Sequence, residues 1–212
     1  MGPIPTEIGD CHSLETLIVD LNDLNGTIPT EMGRLENLTV VSMGGNDLRG
    51  EIPSEMGLLT NLGTCPTQGY HDLCADVEGL RFSSNIRTDL LFLEKNELDG
   101  TIPTTIGNLS RLKELSIMEN HLSGGLPSEL GQLTQLESLG IGYNHFTGVI
   151  PEELCILRME RNVTIRNPRP DPVNGLPDDL CDNSLFGGVQ CPYLECCPSC
   201  PQIVIDEVPN GR

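Results

Sequence analysis

Five asparagines, Asn22, Asn46, Asn96, Asn120 and Asn144, stand 24, 50, 24 and 24 residues apart. A fixed period of this size predicts a solenoid, a chain whose units pack only on their neighbours and that serves binding more often than catalysis. On this spacing the step of 50 holds two units and two extra residues. Each Asn closes the same phrase. Leu14-x-x-Leu17-x-Val19-x-x-Asn22-x-Leu24 returns as Leu38-x-x-Val41-x-Met43-x-x-Asn46-x-Leu48 and again around Asn96, Asn120 and Asn144.

Apolar residues two apart, such as Leu17 and Val19, point to one face of a short strand, and Thr16, Ile18 and Asp20 point to the other. Stacked units would line these strands into a parallel sheet. The Asn follows the strand where the chain turns inward. Its amide carries two donor hydrogens and an acceptor, enough to satisfy backbone groups of adjacent units, so a buried polar ladder is expected. The second half of the unit is equally regular: Gly26-Thr27-Ile28-Pro29 returns as Gly50-Glu51-Ile52-Pro53, Gly100-Thr101-Ile102-Pro103 and Gly124-Gly125-Leu126-Pro127. Gly opens backbone conformations closed to other residues, and Pro fixes φ. The Ser or Thr after Pro is expected to cap one short helical turn.

This half resembles the plant-specific leucine-rich-repeat subfamily, whose repeat reads LxGxIPxxLGxLxxLxxLxLxxNx; the resemblance covers roughly residues 2–154 with one break. It implies an α/β solenoid, a right-handed superhelix with short parallel strands on the concave side and 3-10 or short helical turns on the convex side. The expected organisation is a partial first repeat (1–14), two regular 24-residue repeats (15–62), an irregular repeat (63–88), three repeats (89–160), a degenerate repeat with a Cys-rich cap (161–201) and a tail (202–212). Residues 63–88 read best as a looped insertion, closed by Cys65 and Cys74, that leaves the solenoid without breaking it. A looser match of Leu73–Phe82 to the segment preceding the first repeat in plant-type proteins is the competing reading. The terminal cluster resembles the caps of leucine-rich-repeat proteins from diatom-like algae.

The net charge of −19 opposes binding to nucleic acid or anionic membrane and suits a basic partner or a neutral glycan. Cys11 aligns with Leu35, Leu59, Leu109 and Leu133 and is expected as a buried free thiol. The other eight cysteines, Cys65, Cys74, Cys155, Cys181, Cys191, Cys196, Cys197 and Cys200, cluster where the regular core stops, which points to disulfides and an oxidising compartment. Cys191, Cys196, Cys197 and Cys200 lack the paired knuckles of a zinc site, so no metal is expected. Sequons at Asn25, Asn37, Asn108 and Asn162 agree with an extracellular location. The chain starts in the middle of a repeat with no signal peptide, so an upstream cap is expected, and no run is apolar enough to span a membrane.

No nucleophile elbow, phosphate loop or metalloprotease motif occurs, so neither an enzyme nor a cofactor is expected. The candidate binding surface is the concave strand face and its edge: Ile18, Asp20, Ser42, Phe92, Glu94, Ser116, Met118 and Tyr143. Phe92, Met118 and Tyr143 are its large side chains and the expected anchors for a protein, peptide or polysaccharide ligand. His121 and His145 follow successive ladder asparagines and are expected to stack.

Overall fold

The computed structural model describes residues 2–64, 90–148, 150–161 and 163–166. Its strands are β1 (Thr16–Ile18), β2 (Asn25–Gly26), β3 (Val40–Ser42), β4 (Asp47–Gly50), β5 (Leu90–Phe92), β6 (Glu97–Leu98), β7 (Glu114–Ser116), β8 (Ser123–Gly124), β9 (Ser138–Gly140), β10 (His145–Phe146) and β11 (Thr164–Arg166). The odd-numbered strands form one six-stranded parallel sheet in chain order. The even-numbered strands form short parallel ladders on a second side, β2-β4-β6 and β8-β10. The 3-10 turns Thr6–Asp10, Thr30–Arg34, Ser54–Leu58, Thr104–Asn108 and Ser128–Gln132 close the coils, and helix α1 (Glu152–Arg161) takes that place in the last described coil.

The core is a set of ladders. Leu38, Leu62, Leu112 and Leu136, then Val41, Leu91, Leu115 and Leu139, then Met43, Leu93, Ile117 and Ile141 are all buried. Ile28, Ile52, Ile102, Leu126 and Ile150 enter from the Ile-Pro segment. Each fully buried side chain of this kind contributes roughly 1.5–3 kcal/mol of transfer free energy. Around the first coil, Leu14, Leu17, Val19 and Leu24 are only partly buried.

Between the coils the asparagines bind backbone. The Asn120 amide donates to Leu93 O of the preceding coil (2.9 Å) and to Ile117 O and Met118 O of its own, while its Oδ1 accepts from Leu98 N (3.0 Å). Asn46, Asn96 and Asn144 repeat this arrangement. Asn22 is exposed and, among the described residues, donates only within its own coil, to Val19 O and Asp20 O.

The glycine of each turn marks the other close approach. A Cβ on Gly33 would lie 2.7 Å from Glu55 O, and one on Gly107 would lie 2.5 Å from Glu129 O. One on Gly57 would collide with Thr105 O, so only a residue without Cβ lets successive turns stack at this distance.

Three expectations are corrected. The step from Asn46 to Asn96 spans one coil, not two. β3 pairs directly with β5 (Val41 with Leu91, Ser42 with Phe92), and Leu48 N donates to Asn96 Oδ1 at 3.1 Å. The 26 residues by which this step exceeds the period (50 minus 24) therefore add no coil to the stack. Next, the Ser and Thr after Pro do not cap the turns. Pro5, Pro29, Pro53, Pro103 and Pro127 hold the cap position with φ between −60 and −71°, and no side chain caps the turn. The hydroxyls of Thr6, Thr30, Ser54 and Ser128 donate instead to the carboxylate of the next residue. Finally, Cys11 is a free thiol but exposed, because no coil among the described residues lies against that side of the first one.

α1 starts with Glu152 and Glu153, whose charge suits the positive end of the helix. Its Leu154, Cys155 and Leu157 are buried, and Cys155 is disulfide-bonded. Cys65, Cys74, Cys181, Cys191, Cys196, Cys197 and Cys200 all lie outside the described residues.

Two substitution pairs test this packing by urea unfolding. Asn120→Ala removes donors and an acceptor from buried backbone and is expected to cost about 3 kcal/mol, whereas Asn22→Ala costs about 1 kcal/mol. Gly57→Ala is expected to cost about 1–3 kcal/mol through overpacking. Gly125→Ala, whose nearest contact would be Thr147 O at 3.8 Å, leaves stability unchanged or raises it by about 0.5 kcal/mol.

Candidate functional site

The strand face is built in rows, because side chains two apart share a face and parallel register sets equivalent positions side by side. The first row is Thr16, Val40, Leu90, Glu114 and Ser138. The second is Ile18, Ser42, Phe92, Ser116 and Gly140. The third, just past the strands, is Asp20, Gly44, Glu94, Met118 and Gly142. The register pairs Thr16 with Val40, Ser42 with Phe92 and Leu90 with Glu114.

Much of this face is closed. Val40 and Leu90 are each 2 % exposed, and Ser42, Ser116 and Ser138 are buried. Ser42 and Ser116, expected as ligand contacts, are committed to the protein itself. The Ser42 hydroxyl donates to both carboxylate oxygens of Asp20 at 2.7 Å, and Gly44 N donates to Asp20 Oδ1 at 2.7 Å. The Ser116 hydroxyl donates to Glu94 Oε2 at 2.6 Å. A carboxylate on one coil thus accepts from a serine on the next, twice along the sheet. Such charge-assisted bonds are shorter and stronger than neutral ones.

The large side chains divide. Phe92 and Met118, on the adjacent coils of β5 and β7, are both half-buried, and Phe92 stands in register with Ser116, two residues before Met118. Met118 lies over the next coil, where a Cβ on Gly140 would meet its Sδ at 2.9 Å. Ile18 is 42 % exposed but stands two strands from Phe92, with the buried Ser42 between them. Tyr143 borders the face one coil beyond Met118 and is half-buried.

A fourth row lies beyond what strand alternation predicts. Leu21, Lys95, Glu119 and Tyr143 have φ of 53, 55, 52 and 55°, and Gly45, in the same position, has 66°. This left-handed conformation costs a residue with Cβ roughly 1–2 kcal/mol. At four of these five positions it is over-determined, because the backbone N–H donates into the next coil: Leu21 N to Gly44 O, Gly45 N to Glu94 O, Lys95 N to Met118 O and Glu119 N to Gly142 O, all at 2.8–3.0 Å. The only signal in the sequence is Gly45 itself. Lys95 and Glu119 pair at 3.8 Å with both side chains about half exposed, a contact that orders the edge more than it stabilises it.

On the second side, the imidazoles of His121 and His145 stack with centroids 5.9 Å apart and planes 8° from parallel. Among the described residues no group of three or more metal-ligating side chains converges, and no helix is long and apolar enough to cross a membrane. Of the sequons, Asn25 is half-buried, Asn37 and Asn108 are exposed, and Asn162 lies outside the described residues.

A leucine-rich-repeat family model matches residues 111–133 and 135–157. Among solved structures, the chain is similar to the ectodomain of the Arabidopsis thaliana membrane receptor kinase GASSHO1/SCHENGEN3, in complex with CASPARIAN STRIP INTEGRITY FACTOR 2: 33% identity over 78% of this chain and 16% of that one, TM-score 0.61. It is similar to the Arabidopsis receptor kinase HAESA, in complex with the peptide hormone IDA and the co-receptor SERK1: 30% identity over 84% of this chain and 26% of that one, TM-score 0.60. It is also similar to a plant ice-binding protein: 26% identity over 73% of this chain and 42% of that one, TM-score 0.58. The chain spans less than half the length of each of these proteins. No curated protein matches it in sequence. The fold is a leucine-rich-repeat solenoid like that of plant receptor ectodomains, a scaffold type that is typically non-catalytic.

The carboxylate–serine latch has a measurable weight. Asp20→Ala should lower unfolding stability by about 2 kcal/mol through the lost bonds to Ser42 and Gly44. Ile18→Ala, one row away on an exposed side chain, should change it by less than about 0.5 kcal/mol. Chemical denaturation of the two variants separates the structural row from the open one.

Proposed function

We propose that this chain is a non-catalytic recognition module, extracellular or at the cell surface, that binds a protein or peptide along its concave strand face. The observation that carries this reading is the set of accessible apolar side chains, Ile18, Phe92 and Met118, on a sheet face whose serines are latched between coils. Large side chains on a rigid array are efficient anchors, since little entropy is lost when they are covered. Glu94, Lys95, Glu119 and Tyr143 border Phe92 and Met118 and would set orientation and charge. Two of the solved relatives hold a peptide hormone or a protein factor in their complexes, which supports a proteinaceous ligand over a glycan. The net charge of −19 favours a basic one. The same features suit a segment of a receptor ectodomain, or a structural wall protein whose repeats assemble by the same face.

Ice binding is supported less well, despite the plant relative. The row that would present hydroxyls reads Thr27, Glu51, Thr101, Gly125 and Thr147, and Glu51 lies over Gly100 between two threonines. A carboxylate in the middle of that row breaks the regular array of hydroxyls and methyls.

The test is a screen of secreted proteins and displayed basic peptides, followed by calorimetry on the ligand found. Phe92→Ala and Met118→Ala should each weaken binding by about tenfold or more, with thermal midpoints close to that of the parent. Affinity should fall as salt rises. Unchanged affinity in both variants would remove the strand face as the binding site.

A further inference from the structure

We propose that Asn108 is the N-glycosylation site of the described solenoid, and that the sequons at Asn25 and Asn37 stay bare. All three present the same local motif, Asn-x-Ser/Thr. The coils treat them differently.

Asn25 sits within β2, bridged to Pro3 on one side and paired with Asp47 on the other. It is half-buried, and its neighbour Gly26 holds a positive φ of 74° against Pro3. A bulky substituent there would force adjacent coils away from each other. Asn37 is exposed, but its Nδ2 donates to His12 O at 2.7 Å. Asn61 makes the same bond one coil on, to Glu36 O at 2.8 Å, and accepts from Arg111 Nη1 at 2.9 Å. Asn37 therefore belongs to a second asparagine ladder, and the nitrogen that would carry a sugar is the one that ties the first coil to the second.

Asn108 ends the turn Thr104–Asn108, at the position held by Arg34, Leu58 and Gln132 in the other turns. This position takes side chains of any character, and Asn108 itself is exposed. Its amide makes no hydrogen bond among the described residues, while its own carbonyl accepts from Ser110 N at 2.8 Å. Ser110, the hydroxyl residue of the sequon, is exposed as well. A glycan on this nitrogen extends into solvent from the face opposite the strands and leaves the binding surface clear. The transfer needs a lipid-diphosphate-linked oligosaccharide: the amide nitrogen bonds to the anomeric carbon, the anomeric C–O bond breaks, and the lipid diphosphate and one amide proton leave, with no change of oxidation state.

Occurrence in the native source rests on the extracellular reading; the competence of the site does not. The test is to direct the full chain through the secretory pathway of a eukaryotic host. Glycans are then released with an amidase in heavy-oxygen water, and the labelled positions are mapped by peptide mass spectrometry. Label is expected at Asn108 in most molecules and at neither Asn25 nor Asn37. Ser110→Ala should abolish it with the circular dichroism unchanged. A bare Asn108 in the secreted protein, or label at Asn25 or Asn37, would overturn the proposal. Protein from the native source that lacks the glycan, beside labelled Asn108 in the host, would count against the extracellular location and uphold the site.

Discussion

Everything in this structure depends on how one coil holds the backbone of the next. The asparagine amide is the agent. Placed just inside the turn after each strand, it donates to carbonyls of two coils and accepts from an N–H of the preceding one. Buried backbone that leaves the sheet has lost water and must find partners. A side chain with two donors and an acceptor supplies them at every step without lengthening the main chain. The contrast between Asn120, tied to two coils, and Asn22, tied to one, shows that the bond belongs to the stack and not to the repeat.

The same tight stacking shapes the surfaces. On the turn side it demands glycine, because carbonyls of adjacent turns occupy the space of a Cβ. At the strand edge it holds Leu21, Lys95 and Glu119 in a left-handed conformation that their side chains disfavour and that hydrogen bonds to the next coil enforce. Along the strand face it brings Asp20 onto Ser42 and Glu94 onto Ser116. Acidic residues that look available in the sequence are thereby half used, and the accessible apolar side chains of the face are Ile18, Phe92 and Met118. Rigidity and selectivity of this face arise from one cause.

One-dimensional packing also explains how an irregular stretch is accommodated. The stack needs only that the strand, the Asn and the turn of one coil meet those of the next. Thr39 O accepts from Gly63 N, and Ser42 pairs with Phe92, so the coil ending near Gly63 and the strand starting at Leu90 satisfy that requirement across the intervening sequence. Chain length between coils is then free to vary at modest entropic cost, since loop closure grows only logarithmically with length.

The repeat, its strands, the core ladders and the asparagine role are legible in the sequence, because each follows from periodicity and hydrogen-bonding capacity local to one unit. The stacking of His121 on His145 is legible for the same reason. The step of 50 residues reads as two coils and is one, because spacing counts residues and says nothing of which coils touch. Ser42 and Ser116 read as ligand contacts because outward direction is visible in a two-residue alternation, whereas their bonds to Asp20 and Glu94 join different coils. Cys11 aligns with buried leucines yet is exposed, since burial comes from a neighbouring coil and not from position within the unit. The sequence by itself determined what each coil is and how its inside is filled. Only the tertiary structure decided which coils are neighbours, which carboxylates are latched and which sequon is free, because all three depend on contacts between residues some 22 to 53 positions apart.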